Sequence, residues 1–272
     1  MRLKIEHTTA YHYTAPIFPE PQHFYFYPHA RPHLELISFD LQVAPTPAGL
    51  ALRYDLENNA FYQSWFNQKA DFLRINIEME IETKPFKPLD FLVELKPKTG
   101  HQDALKLYLK SQVDLSNKLS SWTTGLKRQA NGNPITFLST LCAEIGMHWE
   151  HIISYKPELL DPNACFEARS GSCRDLSWMM IELLRNQNVP ARFISGYSHN
   201  PDLKGHELHA WVEAGIPGAG WIGLDPSSGL FVTEHYVPVA ASYHPANTLP
   251  VQGTFRGAAV SKLDTKVKIL AL

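Results

Sequence analysis

Hydrophobic and polar residues alternate with period two over residues 36–43, and again without interruption from Leu73 to Ile81. Such alternation predicts half-buried strands. Pro45, Pro47 and Gly49 mark one turn and Asn58-Asn59 another. The first seven residues, Met1-Arg2-Leu3-Lys4-Ile5-Glu6-His7, read as a strand and lack the apolar core of a signal peptide. Residues 16–32 are dense in proline and aromatics, among them Phe24-Tyr25-Phe26-Tyr27. These fit the loops and core of a sandwich better than a ligand-stacking surface. Residues 1–95 are therefore expected to form a β-rich N-terminal domain.

Pro85, Pro88 and Pro97 punctuate residues 84–99, where the domain boundary is expected. Beyond it the period becomes helical. One helix is predicted over 115–128. A second opens on Asn133-Pro134, an N-cap followed by an N1 proline, and continues through Phe137, Leu138, Leu141 and Ile145 to Gly146. A third starts at Cys173 and carries Leu176, Met179, Met180, Leu183 and Leu184 at spacings of three and four, so one face should be buried. The period then returns to two over 192–198, 208–214 and 220–225, with Pro217-Gly218 turning the last pair. Residues 263–270 alternate once more. These elements assign 96–272 to a second domain of α+β class.

Composition narrows the function. At 272 residues, 44% hydrophobic and 11% aromatic, the chain can build well-formed cores. A formal charge of −2 gives no broad attraction to nucleic acid or acidic lipid, so neither is an expected partner. No run reaches the 18 or so apolar residues of a membrane helix. Three cysteines, Cys142, Cys165 and Cys173, are poor material for a disulfide framework. With the missing signal peptide, they predict a cytoplasmic protein.

The candidate chemistry centres on Cys173. Ser172 is a good N-cap, which makes Cys173 the first helical residue. The unpaired N–H groups there favour the thiolate over the thiol and are placed to stabilise an oxyanion. A hairpin centred on Pro217 would set His209 directly opposite Asp225, with Cβ atoms about 4.5–5.5 Å apart. Val212, Ile222 and Leu224 then fall on the opposite face, while Trp211 and Trp221 share the face of His209. Singly, each residue has a plainer explanation: a small apolar residue at a helix start, a core or surface histidine, a turn residue before Pro226. Their conjunction at one register favours a Cys-His-Asp arrangement. Zinc would want clustered ligands; His148 and His151, or His206 and His209, are spaced by three but have no matching cysteine pair. No metal or cofactor is expected.

At these residues the sequence resembles the bacterial transglutaminase-like superfamily, whose catalytic core is papain-like. The resemblance lies in Gly171-Ser172-Cys173-Arg174-Asp175, Asn188-Val189-Pro190-Ala191-Arg192, Gly196-Tyr197, His209-Ala210-Trp211-Val212-Glu213, Gly220-Trp221-Ile222-Gly223-Leu224-Asp225-Pro226 and Val251-Gln252-Gly253. Residues 1–83 look like the family's β-rich N-terminal region. The resemblance implies an N-terminal β-sandwich followed by a papain-like domain, with a nucleophile helix packed on an antiparallel sheet. It also implies Cys173 as nucleophile, His209 as base and acid, and Asp225 as the orienting carboxylate. The departures are Ser172, where the family more often has an aliphatic residue, and Glu57-Asn58-Asn59, where a Gly-Asn turn is usual. Papain relatives carry a glutamine six residues before the cysteine; here that residue is Glu167. Ser172, Trp149, Tyr155 and Trp211 are the remaining oxyanion or cleft candidates. The function expected is a cysteine peptidase or amidase acting through a thioester on a peptide, protein or small amide. The alternatives are a protein-glutamine transglutaminase and a non-catalytic peptide- or protein-binding module on the same fold.

Overall fold

The computed structural model describes residues 1–94, 101–154, 158–199 and 208–272, with 101–104 described by backbone alone. The chain begins with six strands: β1 (Arg2–Pro19), β2 (Gln22–Phe24), β3 (Leu34–Ala44), β4 (Gly49–Tyr54), β5 (Ala60–Trp65) and β6 (Ala70–Thr83). A helical stretch follows, with α1 (His101–Leu109), α2 (Asn117–Gln129), α3 (Pro134–His148), the two-residue β7 (Glu150–His151), α4 (Pro162–Ala168), β8 (Ser170–Gly171) and α5 (Cys173–Asn186). The last part holds β9 (Ala191–Ser198), β10 (Leu208–Ile216), β11 (Gly220–Asp225), β12 (Leu230–Phe231), β13 (Tyr236–Ser242), β14 (Val251–Gln252), β15 (Phe255–Arg256) and β16 (Ser261–Ala271).

The N-terminal strands form two antiparallel sheets over a shared core. In one, β6 lies between β1 and β3; in the other, β5 lies between β2 and β4. The alternation in β6 decides which way it faces: Leu73, Ile75, Ile77, Met79 and Ile81 are buried while Arg74 and Glu78 are exposed. Across the ladder, Leu3 and Ile5 of β1 stand beside Ile81 and Met79. From the second sheet Phe24 joins this core, with Phe26 just beyond it, so the aromatic run serves packing. The left-handed turn at Asn58 (φ 64°) replaces the Gly-Asn turn, and Asn59 points inward, fully buried.

Three findings depart from the sequence-based expectation. First, residues 251–271 do not stay with the second domain. Strand β16 pairs antiparallel with β1 from Leu3↔Ala271 to Tyr13↔Ser261, β15 pairs with the end of β1, and β14 pairs with β2. The expected 96–272 unit thus returns its C-terminus to the N-terminal sheets. Local periodicity identifies a strand but carries no information about a partner some 250 residues away.

Second, α5 is buried on every side rather than on one face. Its buried ion pair is satisfied internally. Arg185 Nη1 donates to Glu182 Oε1 at 2.8 Å, and its other guanidinium nitrogens donate to the carbonyls of Tyr108, Ala191 and Tyr243. Glu182 also accepts from Ser111 Oγ and the backbone N–H groups of Gln112 and Val113. Paired in this way, two charges can occupy the interior.

Third, the β10–β11 hairpin turns about Gly218, not Pro217. The observed register pairs Val212 with Leu224 and Ile216 with Gly220. Residues 217–219 form a three-residue turn in which Gly218 adopts φ 88°, and a side chain there would run into Leu92 O. Both sheet partners of β10 belong to the five-stranded sheet ordered β12-β11-β10-β9-β13. Ala210, Val212, Ala214, Ile222 and Leu224 press against Leu176, Met180 and Leu183 of α5.

Polar keys lock this sheet to the N-terminal domain. Arg31 and Arg192 both donate to the buried Glu213 at 2.6 Å. His7 Nδ1 meets Tyr197 Oη at 2.8 Å. Asn59 Nδ2 donates to Ala241 O (2.9 Å) while Ala241 N–H donates to Asn59 Oδ1 (2.7 Å), extending β13 by a side chain. Asn59→Ala would leave both backbone groups buried without partners, at about 1–3 kcal/mol each. Urea unfolding should show a loss of about 2–4 kcal/mol with an unchanged slope; a loss under about 0.5 kcal/mol would contradict the assigned role.

Candidate active site

Helix α5 begins with a reciprocal cap. Asp175 N–H donates to Ser172 Oγ (3.3 Å), while Ser172 N–H donates to Asp175 Oδ2 (2.9 Å). The Ser172 hydroxyl also donates to Oδ2 at 2.6 Å, and Leu160 N–H donates to Oδ1 at 2.8 Å. This is a capping box with aspartate at N3. It places Cys173 at the first helical position, where the backbone N–H lacks an intrahelical acceptor.

His209 stands near the start of β10, and its Nε2–H donates to Asp225 Oδ2 at 2.8 Å. In the observed register Asp225 lies next to Trp211, so His209 reaches it diagonally rather than straight across. Moving every pairing by an even number of residues keeps both side chains on one face, which is why they still meet. Asp225 is only 2% exposed and fully satisfied. Ser227 donates to Oδ1 from both N–H (2.9 Å) and hydroxyl (2.6 Å), and Tyr236 Oη–H donates to Oδ2 at 2.8 Å. The turn after Asp225 packs tightly on α3, where a side chain at Gly146 would strike the Gly229 backbone. The His209 ring is flanked by Trp211 and Tyr236.

The electrostatics single out one thiol of three. Burial pushes the Cys142 and Cys165 thiols up, that of Cys165 to about 12. Burial also opposes ionisation of Cys173, but hydrogen bonding and charge from His151 and His209 outweigh it and lower the thiol to about 6. His209 is the counterpart: burial works against its charge, yet Asp225 and Cys173 raise it well above the usual imidazole value. Asp225 is held at about 2 by His209, Ser227 and Tyr236 against the cost of its burial. With its Nε2 committed to Asp225, His209 has Nδ1 left for the sulfur. Cys173 remains partly exposed.

Cys173, His209 and Asp225 thus converge. The accessory candidates fare differently. The Ser172 hydroxyl is spent on the helix cap. Trp149 is buried, donates its ring N–H to Cys165 O at 3.1 Å, and stacks under the Arg169 guanidinium, so it is a packing residue and not an oxyanion donor. Trp211, 1% exposed, walls His209 from within. Trp221 packs on Arg192 and Tyr108 instead. Glu167 points outward to Lys118. Tyr155 and His206 lie outside the described residues. Sequence reasoning missed Tyr236 and Ser227 as carboxylate donors, and weighed His151 only as a metal ligand. Its neighbour His148 turns away to Glu144. Among the described residues no cluster of metal-ligating side chains is found, and no helix is long and apolar enough to cross a membrane.

Residues 123–226, which contain all three converging residues, match the model of the transglutaminase-like superfamily, and residues 3–82 match the bacterial transglutaminase-like N-terminal region. The chain belongs to the transglutaminase-like superfamily. An uncharacterised protein of Mycobacterium leprae is 29% identical over 109 residues, 38% of each chain. A protein-glutamine gamma-glutamyltransferase of Pseudomonas aeruginosa is 31% identical over 112 residues, 37% of this chain and 17% of that one. The chain thus matches well under half the length of these curated relatives. A solved structure of a provisionally assigned cysteine protease from Cytophaga hutchinsonii covers 100% of this chain and 91% of its own, with a TM-score of 0.74 at 18% identity. That likeness shows the fold.

Asp225→Asn removes the charge that sustains the His209 imidazolium, so the sulfur loses its cationic partner and its pKa rises. Alkylation of Cys173 near pH 6–7 should slow by at least about tenfold and recover near pH 9, where an ordinary thiol ionises. An unchanged rate at the lower pH would contradict the coupling.

Proposed function

We propose that the protein is a thiol-dependent amide hydrolase or acyltransferase, specifically a cysteine peptidase or amidase that works through a thioester. The observation that carries this is the Asp225–His209–Cys173 series, in which one partly open thiol is driven toward thiolate while the two buried thiols are driven the other way. A thiolate paired with an imidazolium is a nucleophile and a proton donor held together. The Cys173 sulfur adds to an amide carbonyl, and the π pair moves to oxygen. As the C–N bond breaks, the His209 imidazolium gives its proton to the departing amine, leaving a thioester. Neutral His209 then takes a proton from the incoming water or amine as that nucleophile attacks, and the C–S bond breaks to restore the thiolate. Asp225 holds the ring in the required tautomer throughout and steadies its charged form.

Water as acceptor gives hydrolysis, the preferred outcome, because the sequence offers no dedicated amine site or calcium loop of the Asp-x-Asp-x-Asp-Gly kind. The relationship to a protein-glutamine gamma-glutamyltransferase favours amine transfer as the second reading. A peptide, protein or small amide remains the proposed substrate class.

Incubation with an activated acyl ester should add one acyl group to Cys173, visible in the intact mass and located by peptide mapping. Cys173→Ala should gain none and lose at least about 10³-fold in turnover. Acylation on another residue, or full turnover by Cys173→Ala, would refute the proposal. Faster release by a primary amine than by water would move the second half-reaction to acyl transfer.

A further inference from the structure

Resting on this reading, we infer that the ring N–H of His151 is the second donor of the oxyanion hole, acting beside the backbone N–H of Cys173. An acyl-transfer site needs donors aimed where the carbonyl oxygen gathers charge. The helix start supplies one. Of the side chains that sequence alone nominated for the other, the Trp149 ring is committed to Cys165 O, the Ser172 hydroxyl to Asp175, and Trp211 is buried behind His209.

His151 is held in place by its backbone. Strand β7 runs parallel to β8, with Glu150 paired to Ser170 and His151 to Gly171. Glu150 N–H donates to Arg169 O at 2.8 Å, and Ile152 N–H donates to Gly171 O at 3.0 Å. These bonds clamp His151 from both sides and fix it beside the residue two before Cys173. The ring is exposed rather than packed away, and through hydrogen bonding and charge it helps lower the Cys173 thiol. It reaches the sulfur from β7, whereas His209 reaches it from β10. Among the described residues no carboxylate orients the His151 ring as Asp225 orients that of His209. The two histidines therefore divide the work: His209 exchanges protons, and His151 lends an N–H without giving it up.

The chemistry follows directly. In the resting enzyme the His151 ring favours the thiolate from a backbone held beside Gly171. When the sulfur bonds to the carbonyl carbon, its negative charge passes to the carbonyl oxygen one bond away. A donor already beside the sulfur can then follow the charge to its new position with only a small change in direction. No proton is transferred to oxygen; the oxyanion collapses, the C–N bond breaks, and His209 protonates the amine.

Two reactions of the same thiol separate this role from simple activation. Alkylation by iodoacetamide forms no oxyanion, whereas acylation by p-nitrophenyl acetate does. Each is followed to its pH-independent plateau, reached by about pH 9, where the thiol is fully ionised. His151→Ala should lower the acylation plateau by about 10²–10³-fold. Its alkylation plateau should stay within about twofold of wild type, with the midpoint moved to higher pH. His151→Gln, which keeps a neutral N–H donor, should recover most of the acylation without restoring the midpoint. Equal losses in both reactions, or wild-type acylation by His151→Ala, would overturn the assignment. A wild-type protein that alkylates at Cys173 but is never acylated would instead overturn the parent reading, and this assignment with it.

Discussion

The buried carboxylate of Asp175 sets where α5 begins, and the geometry of the site is measured from that point. It accepts from Ser172 N–H, the Ser172 hydroxyl and Leu160 N–H, so its charge is met by three donors and its position is over-determined. A helix starting one residue later would swing Cys173 by about 100° around the axis. The sulfur would then leave both histidines and the end of the helix that favours an anion. The departure at Ser172 from the more usual aliphatic residue fits this scheme, because the hydroxyl adds a bond to the cap.

Around that fixed start, the rest of the molecule keeps the other two catalytic candidates in line. Helix α5 is a fully enclosed rod that bears on the face of β10 and β11 opposite His209 and Asp225. The N-terminal domain braces the His209 face through Arg31 on Glu213, and it also holds Tyr197 through His7 and the backbone of β13 through Asn59. The C-terminal strands then close on β1, so the polypeptide's two ends lie in one sheet. Both faces of the sheet that carries His209 and Asp225 are thus covered, which limits how far either side chain can drift. The buried charges of Glu182, Arg185, Glu213 and Asp225 tolerate such an interior because each has a partner.

Much of this was legible in the sequence, and what escaped has a common cause. The strands over residues 36–43 and 73–81, the Asn133 and Ser172 caps, and the hydrophobic spacing of α5 are local signals read within a few residues. So was the meeting of His209 with Asp225, since parity along two strands survives an error of two in register. The errors were non-local. The docking of β16 on β1, the burial of Glu182 and Arg185, and the contact of Tyr236 with Asp225 all depend on segments distant in the chain. His151 was visible as a residue but not as a neighbour of Cys173. Its place follows from a two-residue parallel pairing too short to leave a periodic pattern. The hairpin centre failed for a different reason: positive φ at Gly218 and Gly220 permits more than one turn, and Leu92 O packs so close to Gly218 that only glycine fits there.

The central claim is that Cys173 exists as a thiolate paired with imidazolium near neutral pH. Ultraviolet absorbance of the thiolate, titrated in wild type against Cys173→Ser, reports that ionisation without any substrate. The account predicts a difference signal rising with a midpoint near pH 6, as the lowered thiol requires. A midpoint near the ordinary thiol value of about 8.5 would contradict it.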